Sequence, residues 1–153
     1  MRCLRRLLSR FVGSTQRSNP RFDRVPEREE ILTRFIFSAR HFSAPQNRVR
    51  PDAFLPSKDS LETSVFRAAG LNLEEIRVIG ERVGQPANRR LKAWGDVLTG
   101  IVFDVGLNVR PDNIPQRHAA IVGWPAQKDE QLSLAQRLAA DAMLRLPPQA
   151  VTT

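Results

Sequence analysis

Apolar and polar positions form their clearest pattern near the C-terminal end of the chain. Arg117 and His118 precede an apolar run at 119–122, and a Gly-Trp-Pro sequence closes it. The run is too short for a helix of its own and includes two β-branched residues, so it predicts a buried β-strand.

The next segment, residues 128–146, has the three- and four-residue apolar spacing of one helix face. Acidic residues near its start and Arg145 near its end suit the helix dipole, and two prolines follow. We therefore predict a long helix that ends at Pro147. Its apolar positions are Leu132, Ala135, Leu138, Ala139, Ala142 and Leu146.

Residues 27–40 contain a second helical stripe, although the alternation of Phe35, Phe37 and Ala39 leaves a strand as the competing interpretation of its second half. We favour the helix. The apolar positions of the stripe are Ile31, Leu32, Phe35, Ile36 and Ala39.

Residues 61–67 alternate in the manner of a strand, and Asn72 with Glu75 fits the capping box of a helix that ends at Gly84. The inward face of that helix is predicted to contain Leu73, Ile76, Ile79, Gly80 and Val83.

Trp94-Gly95-Asp96 leads to helical spacing at residues 97–105 with Gly106 as the C-terminal cap, residues 107–109 are extended, and 111–115 form a turn. Together the elements predict one α+β domain. In it, a short sheet from the segments at 61–67, 107–109 and 119–122 is packed by three to four helices.

The formal charge of +8 is concentrated at the start of the chain. Residues 1–24 contain seven arginines and one acid, whereas the remainder is nearly neutral. We expect residues 1–24 to be a disordered basic extension, 25–148 the folded domain and 149–153 a tail. Because the extension is rich in arginine and serine, it suits organelle import, and contact with nucleic acid or anionic membranes is expected there alone.

Several classes of function lack their sequence signatures. No run of about 18 apolar residues predicts a transmembrane segment. The single cysteine, Cys3, has no disulfide partner and favours a reducing compartment. Phosphate-binding glycine loops, metal-ligand spacings and the serine nucleophile elbow do not occur, so we expect no cofactor and no metal.

The two histidines supply the candidate for catalysis. Two-histidine phosphoesterases place a His-x-Ser/Thr tripeptide on either side of a phosphate, as general base and general acid. His41 and Ser43 fit this pattern, but alanine follows where the second hydroxyl should come after His118. The alternative is that both imidazoles cap backbone groups or pack at the edge of the core.

Arginines and tryptophans supply the candidate binding residues. A guanidinium cluster near the ends of elements would bind a phosphate or carboxylate, although the same arginines also suit a solvated face paired with acids. A tryptophan can anchor a partner, or lie at a core edge with its N–H bonded to a carbonyl. The residues are Arg48, Arg50, Arg67, Arg117, Trp94 and Trp124.

Three segments resemble small bacterial proteins of unassigned function: Arg-Pro-Asp-Ala-Phe-Leu-Pro at 50–56, Leu-Glu-Thr-Ser-Val-Phe-Arg at 61–67, and Arg-His-Ala-Ala-Ile-Val-Gly-Trp-Pro at 117–125. The likeness covers about residues 28–146. It implies a bacterial cytoplasm rather than an organelle and brings no activity with it.

These observations favour a non-catalytic interaction or regulatory module of a bacterial cytoplasmic system. A protein partner would dock on a loop-rich face that holds Arg48, Arg50, Trp94 and Trp124. The alternative is a phosphate- or nucleotide-directed enzyme or binding protein that places an anionic small molecule among the arginines, His41 and His118.

Overall fold

Residues 20–148, the part of the chain that the computed structural model describes, contain eight strands, three α-helices and four short 3₁₀ helices. The disorder expected for the basic extension at 1–24 lies outside the described residues for positions 1–19, as does the tail expected at 149–153. The helices are α1 (Leu73–Gly84), α2 (Thr99–Asp104) and α3 (Lys128–Asp141). The strands are β1 (Ile31–Ile36), β2 (Phe42–Ser43), β3 (Arg48–Val49), β4 (Thr63–Arg67), β5 (Ala93–Leu98), β6 (Asn108–Pro111), β7 (His118–Val122) and β8 (Met143–Arg145).

Six strands form one antiparallel sheet in the order β6-β7-β4-β1-β5-β8, and β2 pairs with β3 in a separate hairpin. The α+β prediction is confirmed. The strands predicted at 61–67, 107–109 and 119–122 are β4, β6 and β7, which lie side by side. Three further strands widen the sheet beyond them.

The sheet has two covered faces, because successive side chains of a strand point in opposite directions. On the face that we call the α3 face, Leu32 and Val65 belong to the core that includes α3. On the opposite face, called the α1 face, Phe35, Phe66 and Trp94 pack with α1.

The helix predicted at 27–40 is wrong, because Ile31–Ile36 forms a central strand. β1 lies between β4 and β5, where Thr33 pairs with Phe66 and Phe35 with Trp94. A strand covered on both faces carries consecutive apolar residues, which imitate helical spacing. The helix predicted at 97–105 is confirmed only for Thr99–Asp104, since Val97 and Leu98 end β5, and Gly106 follows at φ +89°.

The helix predicted at 128–146 is confirmed as α3 but ends early, at Asp141. Ala142 is extended (φ −81°, ψ 143°), and β8 then pairs with β5, which buries Leu144 opposite Gly95. The residues of β8 therefore join the sheet, although their apolar spacing also suits a continuation of the helix. Among the described residues, no helix combines the length and apolar character that crossing a bilayer requires.

α1 is confirmed together with its capping box, in which Asn72 accepts from the Glu75 N–H and Glu75 accepts from the Asn72 N–H. A Cβ on Gly80 would lie 2.7 Å from the Phe35 ring, so glycine allows the helix to approach the sheet closely. The predicted inward face is only partly buried, since Leu73 is 48% exposed and Val83 is 38% exposed.

The folded domain begins before residue 25, contrary to the predicted boundary. Phe22 is 1% exposed, and its ring lies beneath the guanidinium groups of Arg67 and Arg117. Arg67 also donates to the carbonyls of Phe22 and Arg24, at 3.0 and 2.6 Å. Residues 22–24 therefore belong to the packed structure.

Asp96 is a half-buried carboxylate on the α1 face. It accepts a hydrogen bond from Thr33 Oγ1 at 2.7 Å, and Arg145 Nε lies 3.7 Å from its second oxygen. Burial raises the pKa of this carboxyl, and the contacts with Thr33 and Arg145 offset the increase only in part. The folded state thus binds the proton more tightly than the unfolded state does. The stability contributed by Asp96 therefore falls as pH rises through the interval between the two pKa values.

We expect Asp96→Asn to raise the melting temperature at neutral pH, because the amide removes this penalty and still accepts from Thr33. The gain should shrink as pH is lowered toward about 4, where the unfolded carboxyl also binds its proton. Thermal unfolding of both proteins across this range measures the difference. A gain that does not change with pH would contradict the explanation.

Candidate functional site

An open groove of about 610 Å³ lies between the C-terminal half of α1 and strands β4 and β7. We call it the α1 groove. Its apolar lining comes from Phe66, Ile79, Val83, Pro86 and Pro115. Its polar lining comes from Ser64, Arg82, Gln116, Arg117 and His118. A mainly apolar concavity with a few convergent polar groups is the usual form of a binding site.

The floor of the groove is aromatic and rigidly supported. The Phe66 ring lies 5.3 Å from the Phe35 ring and 5.3 Å from the His118 imidazole, which meets it edge-on. The pairing of Phe66 with His118 across β4 and β7 produces this contact. Val83 forms part of the opposite wall and leaves apolar surface uncovered.

His118 is oriented by Asp112. The Nδ1 atom lies 2.7 and 2.9 Å from the two Asp112 oxygens, so in the neutral ring Nδ1 carries the hydrogen. Burial would raise the pKa of Asp112, but hydrogen bonds from His118 and the Ile114 N–H, with the charges of His118 and Arg110, hold it below its usual value. Nε2 is left as the ring nitrogen available to a ligand.

The turn between β6 and β7 brings this pair together. Asn113 adopts φ +54°, and its side-chain oxygen accepts from the Arg117 N–H at 2.7 Å. The Asn113 N–H in turn donates to the His118 carbonyl at 3.0 Å. These hydrogen bonds hold the end of β6 beside the start of β7, which places Asp112 opposite His118.

Arg82 is a cation in the lining of the groove. Its side chain has no ion pair or hydrogen bond among those that the structure describes within residues 20–148. The nearby acids have other partners, since Glu81 pairs with Arg77 and Glu62 with Arg110. Carbonyls in the last turn of α1 already accept backbone N–H groups, from Gln85 at Glu81 and from Arg89 at Gly84. Arg82 is therefore not needed to cap the helix.

Arg67 and Arg117, two of the predicted binding residues, hold the fold together. Arg67 is 2% exposed and forms a two-point ion pair with Glu30, at 2.7 and 2.9 Å. Arg117 donates to the carbonyls of Arg67 and Ala69, at 3.0 and 2.8 Å. The predicted anion-binding cluster is thus wrong for Arg67, whose guanidinium is buried.

Trp94 and Trp124 are core residues and do not form part of an exposed docking face. Trp94 is completely buried, with an indole N–H that has no described partner. Trp124 is 6% exposed, and its N–H donates to the Ile121 carbonyl at 3.2 Å. The alternative interpretation, a core edge with the N–H bonded to a carbonyl, is correct for Trp124.

His41 and His118 do not share a pocket. His118 lies on the α1 face with Phe66 and Phe35, whereas Arg34, adjacent to Phe35 in β1, points to the α3 face. Burial lowers the pKa of His41, and the charge of Arg34 lowers it further against an opposite effect of Asp52. His41 is therefore close to Arg34, on the far side of the sheet.

Ser43 and the two hairpin arginines also lie away from the groove. The Ser43 hydroxyl is buried and accepts from the Gln46 N–H at 3.3 Å, so it supports the turn between β2 and β3. Arg48 and Arg50 border a separate cleft of about 630 Å³ beside the last turn of α3. Cations are favourable at that end of a helix because of its dipole.

The sequence singled out His118 but missed Asp112, Arg82 and the exposure of Val83. Asp112 carried a weak signal, since it stands six residues before a histidine in a turn rich in proline. The predicted helix includes Arg82 and Val83, but the uncovered part of the sheet beside them depends on the tertiary structure. A sequence pattern does not reveal it.

Chemically, the groove suits binding, because its lining is mainly apolar with a few polar groups. Ser64 lines it and is a diagonal neighbour of His118 across β4 and β7, but no hydrogen bond between them is described within residues 20–148.

No protein-family model, curated protein or solved structure matches this chain.

Proposed function

We propose that the protein is a non-catalytic interaction module that binds a segment of a partner protein in the α1 groove. In this proposal it serves a regulatory system, and the bacterial cytoplasm is the location that the resemblance noted in the sequence implies. The observation that carries the proposal is the uncovered apolar lining beside a rigid aromatic floor, with Val83 38% exposed.

The shape of the groove favours a protein segment. It is open and bordered by a helix on one side and by strand residues on the other, so an extended chain can lie along it. Burial of apolar side chains on Phe66, Ile79 and Val83 would supply the affinity. The polar lining would fix the register of the bound segment.

The phosphate-directed alternative has lost its main support. It requires two histidines on either side of one phosphate, and His41 and His118 lie on opposite faces of the sheet. The arginines expected beside them are divided between the buried Glu30 pair, the groove and the hairpin cleft. No arrangement among the described residues joins them at a single anion.

We expect Val83→Glu to weaken peptide binding by at least tenfold, because a bound segment would cover this position and take a carboxylate, in place of apolar surface, out of water. The ligands are peptides selected from a random linear library on the full chain and measured by fluorescence anisotropy. Leu132→Glu is the matched control, since Leu132 is 40% exposed on α3, behind the opposite face.

The proposal fails if the two variants bind selected peptides equally well, or if selection on the full chain returns no peptide that Val83→Glu weakens. A second copy of this chain is another possible occupant. Sedimentation of the full chain tests that occupant, because a dimer dissociated by Val83→Glu but not by Leu132→Glu would replace the partner segment with self-association.

A further inference from the structure

From the charges of the α1 groove, we infer that the bound segment carries a carboxylate that pairs with Arg82, next to an apolar side chain that packs on Phe66 and Val83. This inference rests on the proposed function and names the kind of partner that the groove recognises: an acidic, apolar peptide segment. A neutral or basic segment supplies no carboxylate, so Arg82 would form no ion pair with it.

The lining of the groove has cations but no carboxylate. The cations are Arg82 and Arg117, whereas the nearby acids lie outside the lining and are engaged elsewhere. Asp112 is held by His118, Glu81 by Arg77 and Glu62 by Arg110. An anionic group that enters the groove therefore meets net positive charge and no repelling acid in the lining.

Arg82 is the group most able to respond to such a ligand. Arg117 already donates to two carbonyls and lies over the Phe22 ring. Arg82 is exposed and, in the part of the chain that the structure describes, is not committed to an acid or a carbonyl. A guanidinium in this position can present two parallel N–H donors to a carboxylate.

His118 selects a different group of the same ligand. Its Nδ1 hydrogen is directed at Asp112, so the neutral ring presents Nε2 as an acceptor. A carboxylate has no hydrogen to donate there, whereas a peptide N–H or a hydroxyl does. The groove thus has two polar contacts for a ligand: Arg82 donates to its carboxylate, and His118 accepts from its backbone N–H or hydroxyl. Apolar contacts lie beside them.

The test uses peptides selected on the full wild-type chain. We expect them to share Asp or Glu beside an apolar residue, and we expect the change of that acid to Asn or Gln to weaken binding about five- to tenfold. Arg82→Gln should weaken the acidic peptide by a similar factor. The two changes together should weaken it no further than either alone, because they remove the same contact.

Arg137→Gln is the control, since Arg137 is an exposed arginine on α3 and the change removes the same charge far from the groove. It should leave the affinity within twofold, which separates the contact from the general charge of the protein. Thermal unfolding of each variant confirms that the fold is retained.

The inference is overturned if the selected peptides lack acids, or if the acid-to-amide change has the same effect on the wild type and on Arg82→Gln. Peptides that Val83→Glu weakens but that do not depend on their acid would overturn this inference alone. Peptides that Val83→Glu does not weaken would overturn the groove itself. The two failures are therefore distinguishable.

Discussion

Replacement of Glu30 by alanine is expected to lower the free energy of unfolding by about 3 to 5 kcal/mol, which is the cost of breaking a buried ion pair from one side. Glu30 Oε1 and Oε2 accept from Arg67 Nε and Nη2 at 2.7 and 2.9 Å. The side chains are 12% and 3% exposed. Without the carboxylate, Arg67 keeps two carbonyl acceptors but remains a buried cation without a counter-charge.

Urea unfolding of the wild type and Glu30→Ala measures this cost. The control is Asp104→Ala, which breaks the Arg28–Asp104 pair at 2.8 Å, where the side chains are 56% and 60% exposed. An exposed pair contributes about 0 to 1 kcal/mol, so the control should barely change stability. Equal losses in the two variants would show that burial of the Arg67 pair does not have the assigned effect.

Phe22→Ala is expected to lower the free energy of unfolding by about 3 kcal/mol or more, because it removes a buried aromatic ring and leaves a cavity. The ring is 1% exposed, and Arg67 and Arg117 lie 5.2 and 4.5 Å from its centroid. The cost includes these cation–π contacts as well as the lost apolar burial.

Val25→Ala is the neighbouring control, since Val25 is 54% exposed and should cost well under 1 kcal/mol. A chain that begins at Val25 should likewise be less stable than one that begins at Pro20. Chemical denaturation compares all four proteins. If the chain beginning at Val25 matches the longer chain, then the domain does start at residue 25 and the role assigned to Phe22 is wrong.

Elements with local signals were predicted correctly from the sequence. The capping box at Asn72 and Glu75 defines the start of α1, and the short run closed by Gly-Trp-Pro defines β7. β1 and β5 were not predicted correctly, because their residues are buried on both faces of the sheet. Apolar and polar residues therefore do not alternate along these strands. β8 was assigned to a helix because pairing with β5 overrides the spacing of its residues.

The candidate site was predictable only in part. His118 was selected by the two-histidine tripeptide pattern, but its partner Asp112 depends on a turn in which Asn113 and Arg117 have positive φ. The pairing of His41 with His118 failed because the residues that follow β1 fold onto the α3 face. Trp94 and Trp124 were candidate anchors for a partner, whereas both are buried in the core. Gly95, next to Trp94, allows Val49 of the hairpin to pack against the sheet.

Backbone amide chemical shifts of the full chain, recorded during titration with a selected peptide, locate the surface at which the ligand binds. If the peptide binds in the α1 groove, the largest changes fall at Phe66, Ile79, Val83 and His118, with little change at Arg48, Arg50 and Gln136 in the cleft behind the opposite face. Changes centred on that cleft, with the groove unaffected, would contradict binding in the α1 groove.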